Sequence, residues 1–79
     1  MTVYIREGCH LCEAFLDELL PLARRLGLEY ALIDVDSSLQ LEAKYGQRVP
    51  LLVADEVVIC EYFIDPAKLD EYVRRVKVG

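Results

Sequence analysis

The sequence predicts an α/β domain built as a three-layer sandwich, with elements in the order β-α-β-α-β-β-α. Three observations predict it. The runs Leu51–Ala54 and Val57–Cys60 carry apolar residues at consecutive positions, the pattern of a sheet covered on both faces. Segments of helical periodicity alternate with the strand candidates. The first two strands flank a helix and so should be parallel with a right-handed crossover, whereas the last two are joined by a tight turn and should be antiparallel.

Each element has a local reason. Residues 2–6 are rich in β-formers and read as the first strand. Gly8 and Cys9 follow as a loop. From His10 to about Leu26, the residues Leu11, Phe15, Leu16, Leu19, Leu20, Ala23 and Leu26 fall at helical spacing. Gly27 supplies a stop. Pro21 cannot donate to the Asp17 carbonyl, which predicts a kink or a break there. Residues 28–34 read as the second strand. Asp36-Ser37-Ser38 offers N-caps, with Gln40 three after Ser37 as in a capping box, for a short helix from about Ser38 to Tyr45 that Gly46 ends. Leu51–Ala54 and Val57–Cys60 form a hairpin around Asp55-Glu56. Asp65-Pro66 reads as an N-cap followed by proline at the first helical position. The last helix gathers Leu69, Tyr72, Val73 and Val76 on one face, and Arg74, Arg75 and Lys77 suit the negative end of its dipole.

Composition narrows the function. A chain of 79 residues allows one domain, spanning 1–79, and 54% hydrophobic content allows a core without a disulfide scaffold. Disorder is excluded by the abundance of Leu, Val and Ile. A net charge of −5 disfavours binding to nucleic acid. No stretch approaches a membrane-spanning length. The opening Met1-Thr2-Val3-Tyr4-Ile5 lacks the pattern of a secretory leader. The expectation is a cytoplasmic monomer without membrane or nucleic-acid partners. Three cysteines, two of them in Cys9-His10-Leu11-Cys12, do not make an extracellular framework.

Cys9 and Cys12 are spaced i, i+3 at a strand-to-helix junction. In a first helical turn that spacing puts both side chains on one face, within reach of a disulfide. Cys9 would occupy the N-cap, where unpaired N–H groups and the dipole favour negative charge, so it is the candidate nucleophile. Cys12, one turn inside, is the candidate resolving thiol. A structural pair without turnover is the blander alternative. A metal site is a third, although no second Cys-x-x-Cys and no His-x-His supplies the remaining ligands. His10, if protonated, would stabilise a Cys9 thiolate; otherwise it is an exposed first-turn residue. Pro50 opens the third strand, where proline is allowed on ordinary grounds. As a cis-proline facing the cysteines it would leave the Val49 backbone to pair with a bound peptide or glutathione.

The chain resembles the glutaredoxin-like branch of the thioredoxin superfamily. Val3-Tyr4-Ile5-Arg6-Glu7-Gly8-Cys9-His10-Leu11-Cys12 is similar to the opening in which a strand and a basic residue precede Cys-Pro-Tyr-Cys. Tyr45-Gly46-Gln47-Arg48-Val49-Pro50 is similar to Gly-x-x-Thr-Val-Pro. The resemblance implies a thioredoxin-like four-stranded mixed sheet with two helices on one face and one on the other. It implies a cis peptide at Pro50, a nucleophilic Cys9 and a resolving Cys12. Arg6 stands where such proteins hold a glutathione carboxylate. The chain departs from the pattern in having His10-Leu11 between the cysteines, Arg48 in place of Thr, and Cys60-Glu61-Tyr62-Phe63-Ile64-Asp65 in place of a Gly-Gly-x-x-Asp stretch.

The function expected is therefore a thiol-disulfide oxidoreductase. It would bind no cofactor, and its partners would be a protein disulfide or glutathione, the latter as electron donor. The alternative is a non-catalytic thioredoxin-fold interaction or metal-carrying module. Arg6 and Arg48 form an anion-binding pair in one reading; in the other they are surface cations paired with Glu7 or Glu61. Cys60 reads chiefly as a small buried hydrophobe, with an alternative resolving or glutathionylated thiol as the other option. Asp65 reads chiefly as a helix cap, with the acidic role of the Gly-Gly-x-x-Asp stretch as the other option, and Tyr4 and Tyr62 read chiefly as packing residues.

Overall fold

The computed structural model describes residues 1–78, with side chains through Val76. Its elements are β1 (Thr2–Ile5), α1 (His10–Leu26), β2 (Ala31–Asp34), a 3-10 turn (Val35–Ser37), α2 (Leu39–Tyr45), β3 (Leu51–Ala54), β4 (Val57–Glu61) and α3 (Pro66–Val78). The sheet order is β2-β1-β3-β4. β1 runs parallel to β2, and β3 runs antiparallel to both β1 and β4. This is the mixed four-stranded sheet and the element order that the sequence predicts.

Strand alternation divides the faces. Val3 and Leu52 pair across β1 and β3 and enter the main core with Phe15, Leu19 and Ala23 of α1, Leu69 of α3, and Ile59, Cys60 and Ile64. A register shift between Leu52 and Val53 leaves Ile59 as an extra residue in β4. A bulge of this kind re-aims side chains, and here Ile59 and its neighbour Cys60 both join the main core. On the other face Tyr4 of β1 stacks against Tyr45 of α2, ring centroids 4.5 Å apart.

Capping follows the local chemistry closely. Gly27 ends α1 at φ 67°, and the Leu28 N–H bonds the Ala23 carbonyl at 2.8 Å. Asp65 Oδ1 accepts from the N–H groups of Ala67 and Lys68 at the start of α3. Asp55 and Glu56 form the hairpin with φ values of 51° and 66°, the paired positive φ of a turn that matches strand twist. Lys77, expected among the cations at the end of α3, has a side chain outside the described part.

Four expectations are corrected. α1 runs through Pro21 unbroken; the proline is exposed, and Leu19 and Ala23 on the buried face anchor both flanking turns. β2 begins at Ala31 rather than Leu28, because Leu28 and Tyr30 pack against the main core instead of pairing with β1. The capping box at Ser37 does not form. The Ser37 hydroxyl donates to the Asp34 carbonyl at 2.6 Å within the 3-10 turn, and Ser38 caps α2 by accepting from the Leu41 N–H. Finally, covering of the sheet is incomplete: β2 is an edge strand, and Leu32 is 50% exposed.

Candidate active site

The topology brings several separate segments to one end of the sheet. β1 ends at Ile5 and leads through Arg6-Glu7-Gly8 to Cys9 at the head of α1. Antiparallel pairing sets Tyr4 opposite Leu51, so the next step along the ladder puts Pro50 at the β1 exit. Leu51 pairs with Glu61, and the Tyr62 N–H donates to the Pro50 carbonyl at 2.8 Å. The Tyr62 hydroxyl donates to the Gln47 carbonyl at 2.9 Å. The chain path and strand pairing thereby bring Arg6, Cys9, Cys12, Arg48, Val49 and Pro50 to this end of the sheet. The Val49–Pro50 peptide is cis.

The two cysteines occupy different environments. Cys9 is the N-cap of α1, half-buried, with extended backbone. Its carbonyl accepts the first helical bond from the Glu13 N–H, and its sulfur accepts from the Cys12 N–H at 3.2 Å. Gly8, at φ 75°, makes the bend from strand to helix in a conformation that glycine adopts without steric cost. Cys12 is 3% exposed. Burial pushes its thiol up to about 11, hydrogen bonding to Cys9 pushes in the same direction, and a backbone bond with Arg6 opposes them. Both cysteines are free thiols. The pair is therefore an outer sulfur facing an N–H donor and an inner one kept protonated by burial.

Arg6 and Arg48 are each held by carboxylates. The Arg6 guanidinium grips Asp36 with Nε at 3.1 Å and Nη2 at 3.2 Å. Its Nη1 donates to the Gly46 carbonyl at 3.1 Å, and its Nη2 reaches Glu42 at 3.4 Å. Hydrogen bonding to Asp36 raises the guanidinium further above neutrality. Arg48 Nε donates to Glu61 at 2.7 Å, which acts the same way on Arg48. The Arg48–Glu61 pair is one the sequence suggests. The partners of Arg6 are not: Glu7 is passed over for two residues around α2. Gly46 is the contact point, since a Cβ there would lie 2.5 Å from the Glu42 carbonyl and 3.1 Å from Arg6 Nη2.

The remaining candidates sort by exposure. His10 is 99% exposed in its side chain, with Nδ1 3.7 Å from the Glu13 carboxylate. Cys60 is buried; its sulfur accepts from the Asp65 N–H at 3.4 Å, and burial raises its thiol. Asp65 caps α3 and Tyr4 packs on Tyr45, as expected. Phe63 carries no motif that would single it out in the sequence, yet it is 68% exposed at the same end of the sheet as the cysteines. Among the described residues no three His, Cys, Asp or Glu side chains group as metal ligands. None of the described helices is long and apolar enough to cross a membrane.

Similarity to known proteins covers nearly the whole chain. The family model described as Glutaredoxin-like domain (DUF836) matches residues 1–74. No curated protein matches. The chain is similar to the solution structure of protein Ne2328 from Nitrosomonas europaea, at 37% identity and a TM-score of 0.78, over 90% of this chain and 86% of that one. It is similar to the structural genomics target protein XcR50 from X. campestris, at 30% identity and a TM-score of 0.71, over 94% and 95% of the two chains. Thioredoxin 1 from Thermosipho africanus TCF52B is 16% identical with a TM-score of 0.64, over 96% of both chains, a likeness of fold.

Proposed function

Since the chain belongs to the Glutaredoxin-like domain (DUF836) family, we propose that it is a thiol-disulfide oxidoreductase with Cys9 and Cys12 as its redox pair. The thioredoxin-type fold fits such chemistry. The observation that carries the reading is the asymmetry of the two sulfurs. Cys9 is partly accessible at a helix N-cap and accepts an amide N–H, whereas Cys12 is buried one turn inside. The outer sulfur can meet a substrate and the inner one cannot.

In the proposed reaction the Cys9 thiolate attacks one sulfur of a substrate disulfide. The S–S bond breaks, a Cys9 mixed disulfide forms, and the departing thiolate takes a proton from water. Cys12 then loses its proton and attacks the Cys9 sulfur. The second substrate thiolate leaves, and a Cys9–Cys12 disulfide remains. The dithiol gives up two electrons and the substrate disulfide gains two. An external thiol or dithiol restores the reduced pair. Val49 stands two residues before the β3 ladder, where its backbone would align an extended substrate.

Trapping tests the roles. Cys12→Ser, mixed with a peptide disulfide, should accumulate a mixed disulfide on Cys9 detectable by intact mass. Cys9→Ser should form none. A stable adduct on Cys12 in Cys9→Ser, with none in Cys12→Ser, would overturn the assignment.

A further inference from the structure

We infer that the substrate of this site is a disulfide within a polypeptide segment carrying basic and apolar residues, and that small anionic disulfides such as oxidised glutathione are selected against. The inference rests on the dithiol chemistry proposed above. It adds the class of molecule that the surface around Cys9 admits.

The first observation is that Arg6, on the loop that leads to Cys9, is already engaged by the fold. Arg6 spends its donors on the Asp36 carboxylate, the Glu42 carboxylate and the Gly46 carbonyl. Arg48 is held by Glu61. A carboxylate brought to Arg6 by a ligand would have to compete with two resident ones, each fixed to the fold by its own chain. The bidentate Arg6–Asp36 geometry is the arrangement of planar donors against planar acceptors that is hardest to replace.

The second observation is the balance of charge. Asp36 and Glu42 together outnumber Arg6, and Glu61 cancels Arg48. Glu7 and Glu13 flank Cys9 in sequence, are exposed, and have no Lys or Arg partner among the described residues. The side chains around Cys9 therefore carry a net negative charge, and a like-charged ligand meets repulsion from them on approach. Oxidised glutathione carries four carboxylates and two ammonium groups, so it arrives with the same sign.

The third observation is apolar. Leu11, between the cysteines, is 43% exposed; Tyr62 and Phe63 are exposed beyond the end of β4. Tyr62 is pinned across the Gln47–Pro50 segment by its two hydrogen bonds, so the aromatic rim is built into the fold. Beside it lies an open cavity of about 470 Å³ floored by Cys60 and Ile64 and edged by Phe63, Glu61, Asp65 and Lys68. Glu61 at its edge is paired with Arg48, which leaves Asp65 beside the Lys68 ammonium. A segment with an apolar side chain next to its cysteine and a Lys or Arg further along complements the apolar rim and the net negative charge of the side chains around Cys9.

The experiment is a single turnover with the reduced full chain, so no added reductant competes. Four disulfides are compared: oxidised glutathione, neutral hydroxyethyl disulfide, and two disulfide-linked peptides alike in their Leu and Phe content, one flanked by Lys and one by Glu. Quenched samples are read by mass for the Cys9–Cys12 disulfide. The Lys peptide should react at least about tenfold faster than the Glu peptide at low ionic strength, and the gap should narrow to about twofold in 0.5 M NaCl as screening sets in. Asp36→Asn and, separately, Glu42→Gln should each raise the rate with oxidised glutathione relative to that with hydroxyethyl disulfide. Equal rates for the two peptides, or a glutathione rate matching the Lys peptide, would overturn the inference while leaving the dithiol chemistry standing. No exchange even with hydroxyethyl disulfide would remove both.

Discussion

Alkaline pH should destabilise the reduced protein through Cys12 in a way that a single variant exposes. Burial and Cys9 hold the Cys12 thiol at about 11, against an ordinary value of 9.0. Between those values the unfolded chain releases this proton and the folded chain keeps it. Unfolding therefore releases protons, and raising the pH favours the unfolded state; the stabilisation is whole below pH 9 and fades as pH climbs to 11. From pH 8 to 10.5 the loss assigned to Cys12 amounts to roughly 2 kcal/mol, since each tenfold change in a protonation equilibrium is worth about 1.4 kcal/mol. For a domain this small that is a large fraction of total stability. Urea titrations of wild type and Cys12→Ala, both reduced, should give stability-versus-pH curves whose slopes differ by this amount, and midpoints that converge by about 1–2 M as pH rises. Cys60→Ala, which removes another thiol raised by burial, should flatten the curve separately. Identical slopes for wild type and Cys12→Ala over this range would refute the assignment of a buried, protonated Cys12.

Two further outcomes follow from the same geometry. Iodoacetamide at pH 7 should modify Cys9 first, with Cys12 and Cys60 at least about a hundredfold slower in the folded protein, because alkylation needs an accessible thiolate; peptide mapping after timed quenching reads the order. Gly46→Ala should lower the melting temperature and cost roughly 1–3 kcal/mol, since the new Cβ meets the Glu42 backbone and crowds Arg6; an unchanged melting temperature would show that this approach is not tight.

What the sequence makes legible is local. The Cys9–Cys12 pair can be read because its spacing, the preceding strand and the following helix all lie within one short segment. The hairpin, Gly27 and the Asp65 cap are legible for the same reason. Errors arise where a local signal has two uses. Leu28 and Tyr30 look like strand residues, but their apolar surface serves the main core. Ser37 looks like a cap, but its hydroxyl closes the 3-10 turn on Asp34. The partners of Arg6 lie 30 and 36 residues away. Nothing near Arg6 marks Asp36 or Glu42 as its acceptors, whereas the adjacent Glu7 is a decoy. The single clue is Gly46, whose missing side chain lets α2 end against the guanidinium.

The high value at Cys12 also bears on timing in the proposed reaction. At pH 7 a thiol at about 11 is ionised roughly once in ten thousand molecules, so the resolving sulfur is almost silent in the resting protein. Of the causes that hold it there, one is the hydrogen bond to Cys9. That bond changes when Cys9 enters a mixed disulfide, because its sulfur is then bonded to the substrate sulfur. The burial cost remains, but the backbone bond from Arg6, which favours the Cys12 thiolate, remains as well. Forming the mixed disulfide thus removes part of what keeps the second nucleophile protonated. In the proposed reaction, attack by Cys12 would thus be promoted by the event it must follow, with the order of the two steps set by the spacing of one helical turn.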